Sequence, residues 1–319
     1  MRLLPRVLGT HGKSRLSILI FHRVLPEHDP LRPDEPVIDE FDWRMRILRE
    51  YFTPLPLLEA VDRLRSGDLP ERAVCVTFDD GYSDNEKFAL PILKKYGIPA
   101  TVFVSTGFLN GGRMWNDTVI EVVRRHRSQA LDLQEFGLGS FPLTGNAQRL
   151  AAIAGIIQQI KHLDPLARGA LTAQMEPLVP DLPTDLMMTD DQIHSLVRSG
   201  VTVGAHTVNH PILASISEEV ARQEITASKR YLESLIQAPV DAFAYPNGRP
   251  DADYRTVHRD LVNDLGFKAA VSTHWGVSTS ESDCLQLPRF TPWDRQPIKF
   301  SVRLLASYRW IDPLVSSRH

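Results

Sequence analysis

Two stretches of this sequence run from an apolar segment straight into residues able to do hydrolytic chemistry. In AVCVTFDDGYSDN the carboxylates Asp79 and Asp80 follow a β-branched run and precede Gly81. On a regular strand adjacent side chains point to opposite faces, so both acids can serve one site only if the chain bends there, which Gly81 permits. In VTVGAHTVNHPIL, His206 and His210 lie four apart after a second apolar run. Pro211 disfavours a helical conformation at His210, so a strand end followed by a turn fits better than a helix face. The residues between the histidines are Thr207, Val208 and Asn209. The Glu that follows the first His in zinc-dependent proteases of the H-E-x-x-H type is absent, which argues against that class. Two histidines at one strand end and paired carboxylates at another make a candidate Asp-His-His metal site.

Two further strand ends carry polar residues. DAFAYPNGRPD closes a run with Tyr245 and Pro246 and turns at Asn247 and Gly248; LQLPRF ends on Arg289. Taken alone, the first is an ordinary strand-ending turn and the second an ordinary exposed Arg.

The elements that would position these groups alternate short β-branched runs with longer helical patterns, the signature of βα units and a largely parallel sheet. Strands are expected at Leu16–Phe21, Ala73–Phe78, Ala100–Ser105, Val201–Ala205, Val240–Tyr245, Phe267–Ser272 and Leu285–Arg289. Most lack polar alternation and should be buried on both faces. Helices are expected at Asp84–Tyr96, Asp190–Ser199 and Asp253–Leu265, closed by Gly97, Gly200 and Gly266, with Pro91 kinking or shortening the first. Another should span Ile216–Ile236, with Ser215 and Glu218 at capping-box spacing. Residues 110–183 break the rhythm with helix-period patterns such as LAAIAGIIQQIKHL and no strand signal. They read as a helical insertion over one end of a barrel. The tail from Pro292 suggests no element.

Composition narrows the class. With 319 residues, 43% apolar and 24% charged, the chain can form one α/β barrel domain over 1–319 with its insertion. A formal net charge of −3 gives no global attraction to nucleic acid. Cys75 and Cys284 cannot build a disulfide framework, and Cys75 reads as a buried thiol. Pro5, Gly9, His11 and Lys13 interrupt the N-terminal apolar stretch before it reaches signal-peptide length, and no run approaches a membrane span. A cytoplasmic protein is expected, with a position peripheral to the inner membrane face admitted.

Taken in order, ILIFHRV, TFDDG, GIPATVFVS, GAHTVNHP, FAYPNG, FKAAVSTHWG and LPRF resemble the polysaccharide deacetylases of the NodB homology type, carbohydrate esterase family four. The resemblance covers most of the chain and implies a deformed parallel (β/α) barrel of about seven strands. It implies a metal-dependent hydrolase that removes N-acetyl groups from an amino sugar of a polysaccharide, oligosaccharide or lipid-linked glycan. It makes Asp79 the catalytic base and Asp80, His206 and His210 ligands of one divalent metal, zinc foremost, with nickel, cobalt or manganese also suited to such ligands. Tyr245, Pro246, Asn247 and Gly248 would form the substrate-binding turn, its N–H groups facing the oxyanion, and Trp275 would join them in contacting substrate.

The sequence departs from the family pattern in two places. Ala244 stands where many members carry an Arg, and the orienting role is assigned instead to Arg289. The C-terminal L-x-x-H that carries the general acid is missing, but Leu19-Ile20-Phe21-His22 reproduces it at the end of the first strand. In a closed barrel the first and last strands are neighbours, so a circular permutation would leave the acid, His22, in nearly the same place; His274 competes for the role. The rivals are a deformylase or other amidohydrolase on the same scaffold, and a non-catalytic carbohydrate-binding protein. The insertion is expected beside the substrate groove.

Overall fold

The structure is a computed structural model that describes residues 15–309. Seven parallel strands follow one another around a barrel: β1 (Leu16–Phe21), β3 (Ala73–Phe78), β4 (Ala100–Val104), β7 (Thr202–Ala205), β8 (Ala242–Ala244), β9 (Ala269–Trp275) and β10 (Leu287–Arg289). A two-residue strand, β2 (Thr53–Pro54), adds to β3. The first and last strands meet, since Ile20 N–H donates to the Phe290 carbonyl (3.1 Å) and Phe290 N–H to that of Ile18 (2.7 Å). The expected barrel is therefore nearly closed, and the ends of β1 and β10 share one rim.

The period-2 alternation of the strands sorts side chains to two cores. Leu16, Ile18, Cys75, Phe103, Ala242, Ala244, Val271 and Leu287 fill the barrel interior, plugged from below by the helix Leu57–Ser66. Phe103 takes up room that its neighbour must leave, since a Cβ on Gly204 would lie 2.4 Å from the Phe103 ring. The alternate residues Val74, Val76, Val102, Val203 and Phe243 pack outward against the helical layer. Cys75 is buried and its thiol is pushed up by that burial, as a structural cysteine should be.

Several boundaries differ from the sequence reading. The helix expected from Asp84 starts as a π-turn over Asn85–Ala89 and becomes α-helical only at Leu90–Tyr96, because Pro91 supplies no N–H to an ordinary ladder. The helix placed at Ile216 begins at Glu218, capped by the Ser217 hydroxyl, which accepts from Val220 N–H. The helix placed at Asp253 runs over Thr256–Asp264. The tail forms the helix Pro297–Ser307, which seats Phe300 edge-on to Trp43. Helices at Ile38–Tyr51 and Leu57–Ser66 carry no Gly-or-cap signal at their starts, being entered from Val37 and Pro56.

The insertion is helical but not wholly so. Trp115–Arg125, Asn146–Ile160 and Pro165–Met175 are helices, and between the first two lies an antiparallel hairpin, β5 (Ala130–Leu133) with β6 (Gly139–Pro142). Only two residues of β5, Leu131 and Leu133, face inward, which is too few to register as a strand in the sequence. The insertion packs about its own apolar cluster, joined from the barrel side by Leu31.

Candidate active site

Every chemically capable strand end lies at the carboxyl rim of the barrel, where parallel α/β barrels gather such groups. Asp79 continues the inward phase of Ala73, Cys75 and Thr77, so its carboxylate enters the barrel mouth. Asp80 would face outward on a regular strand. Instead it takes φ 74° and is spanned by a bond from Gly81 N–H to the Asp79 carbonyl (3.0 Å), a γ-turn that swings the second carboxylate round to the same cavity. Gly81 follows at φ 90°, with Val104 already 3.0 Å from where a Cβ would stand. The expected bend is present and is built from both residues.

Asp79 and Arg289 form a buried bidentate pair, Nη1 and Nη2 each 2.7 Å from one carboxylate oxygen. They are 2% and 1% exposed. Arg289 is aimed by bonds from Nε to the Ser272 carbonyl (2.7 Å) and from Nη1 to Thr77 Oγ1 (3.3 Å). Burial alone would push the Asp79 carboxyl up, but the guanidinium outweighs it and holds the acid below its ordinary value.

Asp80 Oδ1 lies 3.5 Å from Nε2 of both His206 and His210, and the three ligand atoms fall within 4.8 Å of one another. Two ligands about 2.1 Å from one tetrahedral cation would stand about 3.4 Å apart, so both Asp80–His spacings would suit a shared cation. The chemistry agrees. His206 Nδ1 donates to the Ala244 carbonyl (2.7 Å), so Nε2 is the ring nitrogen turned to Asp80. Asp80 Oδ1 is a buried oxygen without a hydrogen-bond partner, as an acceptor reserved for a cation would be. Burial opposes ionisation of Asp80, but the two histidines hold it below its ordinary range. Burial keeps His210 neutral, its pKa lowered to about 4. For His206 burial acts the same way but is outweighed by Asp80 and Asp79, which draw positive charge to this point.

The turn that carries the histidines is held from outside. Glu224 Oε2 accepts from the N–H groups of Val208 (2.9 Å) and Asn209 (2.8 Å), and Oε1 accepts from Asn209 Nδ2 (2.7 Å). Arg168, from the insertion, donates to the carbonyls of Asn209 (3.0 Å) and His210 (3.2 Å). Thr207 and His210 both have positive φ, 65° and 51°, and Thr207 Oγ1 accepts from His210 N–H. Neither Glu224 nor Arg168 was singled out in the sequence. Both sit in ordinary helical patterns, and nothing local marks their reach.

Asp79, Asp80, His206 and His210 open on a cavity of about 620 Å³. His22 lines it from the end of β1, with Asn247 from the turn after β8 and Thr273 from within β9. The far wall is apolar and comes from the insertion, as Leu150, Ile153, Ala154 and Ile157 present one face of a helix beside Trp115. Lys161 adds a positive charge at this wall, and Arg32 beside it is paired with Asp117. The insertion thus stands beside the groove.

The remaining assigned residues divide. Tyr245 is fully buried, its hydroxyl donates to the Leu285 carbonyl (3.0 Å) and its ring stacks on Tyr254 at 3.8 Å, so the side chain points to the helical layer and away from the cavity. It shares the outward phase of Phe243. Pro246, Gly248 and Trp275 do not line the cavity either. Within the turn, Tyr245 N–H is taken by the Val271 carbonyl and Gly248 N–H by that of Pro246, which closes a second γ-turn about Asn247 at φ 59°. Of the residues of this turn, Asn247 is the one that lines the cavity. His274 Nδ1 is engaged with Ser272 Oγ (2.6 Å) and lies outside the cavity lining.

The sequence profile of the polysaccharide deacetylases matches residues 66–137 and 141–270, more than half the chain. The chain belongs to the polysaccharide deacetylase family. Members are hydrolases of amide bonds on a deformed barrel. YxkH of Bacillus subtilis, a protein placed among these deacetylases, is 21% identical over 284 residues, 88% of this chain and 73% of its own length. A poly-β-1,6-N-acetyl-D-glucosamine N-deacetylase of Staphylococcus aureus is 28% identical over 157 residues, 47% of this chain and about half (53%) of the relative. Among solved structures, the deacetylase PplD of Streptococcus pyogenes superposes with a TM-score of 0.62 at 22% identity over 92% of this chain and 99% of its own. IcaB of Ammonifex degensii gives 0.59 at 20% over 93% and 98%. No helix among the described residues is long and apolar enough to cross a membrane.

Proposed function

We propose that this family member removes the N-acetyl group from an amino sugar of a polysaccharide, oligosaccharide or lipid-linked glycan, in a metal-dependent reaction at the Asp79–Asp80 site. The supporting observation is one cavity in which an Arg-clamped, ionised carboxylate stands next to a buried carboxylate whose free oxygen faces two imidazole nitrogens. Asp80, His206 and His210 would hold one divalent cation, zinc by preference among zinc, nickel, cobalt and manganese. When bound, it would polarise the amide carbonyl and acidify a water.

The residues of the chain do the rest. Asp79 accepts the proton of the attacking water; two of its lone-pair directions remain free beside those taken by Arg289, which keeps it ionised and fixed. Asn247 N–H faces the carbonyl oxygen as charge develops there. His22, across the cavity, gives a proton to the sugar nitrogen as the C–N bond breaks. The apolar wall of the insertion favours a substrate with an apolar portion beside the sugar, a lipid-linked glycan among them. A cytoplasmic position at the inner membrane face accompanies that substrate and is checked by cell fractionation.

The test is acetate release from N-acetylated oligosaccharides and lipid-linked sugars, by metal-loaded protein, chelated protein and D79N. Release should vanish on chelation, return on reloading, and fall about a hundred- to ten-thousandfold in D79N with metal retained. Undiminished release from either the chelated protein or D79N overturns the reading.

A further inference from the structure

A second hollow of about 500 Å³ opens on the other side of His22. Three of its lining residues, His22, Asp34 and Glu35, also line the catalytic cavity, so the two spaces adjoin there. Its outer wall is Trp293, which at 56% exposed is among the most exposed large apolar side chains of the described residues. This ring ends a run of near-parallel aromatics leading out from the core. Buried Phe290 stacks on Trp275 (5.9 Å, 27°), and Trp275 stacks on Trp293 (6.5 Å, 17°). Arg303, paired with Asp294 at 3.0 Å, lies 5.2 Å from the Trp293 ring and braces it. An indole so well supported yet left largely in water is a built surface without a partner to cover it among the described residues.

We infer that this hollow is a second sugar subsite, taking the pyranose next to the one whose amide is cleaved. The inference rests on the proposed deacetylase reading and extends it to chain-length specificity. A pyranose has an apolar C–H face and a polar rim. Trp293 offers a flat apolar surface to the first, and the Asp34 and Glu35 carboxylates offer acceptors to the hydroxyls and amino group of the second. The hollow adjoins the catalytic cavity at His22, Asp34 and Glu35, where the glycosidic linkage would cross. Trp275 then acts through Trp293, as the ring that holds it upright, which explains why it lies near the site without lining the cavity.

The probes are glucosamine oligomers from mono- to tetrasaccharide, which carry no acetyl group and cannot turn over, titrated calorimetrically into metal-loaded wild type, W293A and W293F. Affinity in the wild type should rise from the monosaccharide to the longer oligomers. W293A should lose about tenfold on the oligomers and nothing on the monosaccharide, with W293F between them. Affinity independent of length, or an equal loss on all probes, overturns the subsite. So does a loss seen with an alkyl glycoside of the monosaccharide but not with the oligomers, which would assign the hollow to an apolar aglycone. Acetate release by the wild type judges the deacetylase reading separately.

Discussion

Arg289 offers the sharpest test of how the site works, because its guanidinium is the counter-charge that overrides burial at Asp79. In R289M a side chain of similar length fills the barrel mouth without the charge, leaving a carboxylate that burial alone pushes up. Removing one partner of so buried a pair costs about 3–5 kcal/mol of stability. The pH dependence has a definite sign. In the wild type the folded-state carboxyl lies below its unfolded value, so its contribution is full above the ordinary carboxyl range and is lost as pH falls through the depressed value. In R289M the contribution is reversed near neutrality, and the stability gap should narrow as the medium is acidified through the carboxyl range. The acid limb of kcat/KM should move to higher pH, since the base now needs a higher pH to ionise. R289K should show an intermediate shift, as an ammonium cannot make the two-pronged contact. Denaturant midpoints at neutral and acid pH, with pH–rate profiles, provide the readout. An unmoved acid limb together with a stability loss under about 1 kcal/mol would show that Asp79 is kept ionised by something else.

Replacing Asp80, His206 or His210 singly by Ala should lower metal content measured after dialysis, and full occupancy in all three variants would reject the ligand set. Glu224→Gln keeps the shape but weakens the acceptor that holds Val208 and Asn209; metal affinity should fall about ten- to a hundredfold with the fold intact, as for groups that orient ligands. H22A should slow hydrolysis of a poor leaving amine far more than of an activated one, whereas H274A should treat both alike; equal effects from H22A would end its role as acid. Ile157→Asp, at the apolar wall, should shift the ranking among substrates differing in apolar substituent while metal content stays constant, and an unchanged ranking would separate the insertion from specificity.

What the sequence discloses about this site follows from where period and burial act alone. Asp79 and Arg289 both continue the inward alternation of buried strands, which marks Asp79 in VTFDDG, whereas LPRF alone reads as an exposed Arg and Arg289 needed the family resemblance to be singled out. The same counting would have excluded the Tyr245 side chain. Ala242 and Ala244 face in, Phe243 and Tyr245 face out, and the alternation of small and large is plain in AFAY. Trp275 could not be decided this way, since pairing of β9 with β10 slips between Leu287 and Arg289 and breaks the phase. Strand β8 is shorter than its apolar run because Ala244 spends its carbonyl on the His206 ring. Arg168 and Glu224 act across elements distant in sequence, and no local pattern reports such contacts.

The backbone carries a share of the chemistry that side-chain motifs do not express. Asp80, Thr207, His210 and Asn247 all adopt positive φ without being glycine, and all stand at the ends of β3, β7 and β8 around one cavity. Each such conformation costs on the order of 1–3 kcal/mol and persists only where surrounding structure over-determines it. Here that structure is visible: β1 and β4 on either side of Asp80, Glu224 and Arg168 behind the His turn, Thr273 behind Asn247. The two γ-turns serve the same cavity, since one brings the Asp80 carboxylate into line with the histidines and the other sets Asn247 in the lining. A strand with regular φ would give one functional side chain per rim position. By bending at Asp80 this chain obtains two, and so sets the proposed base and a proposed metal ligand on adjacent residues.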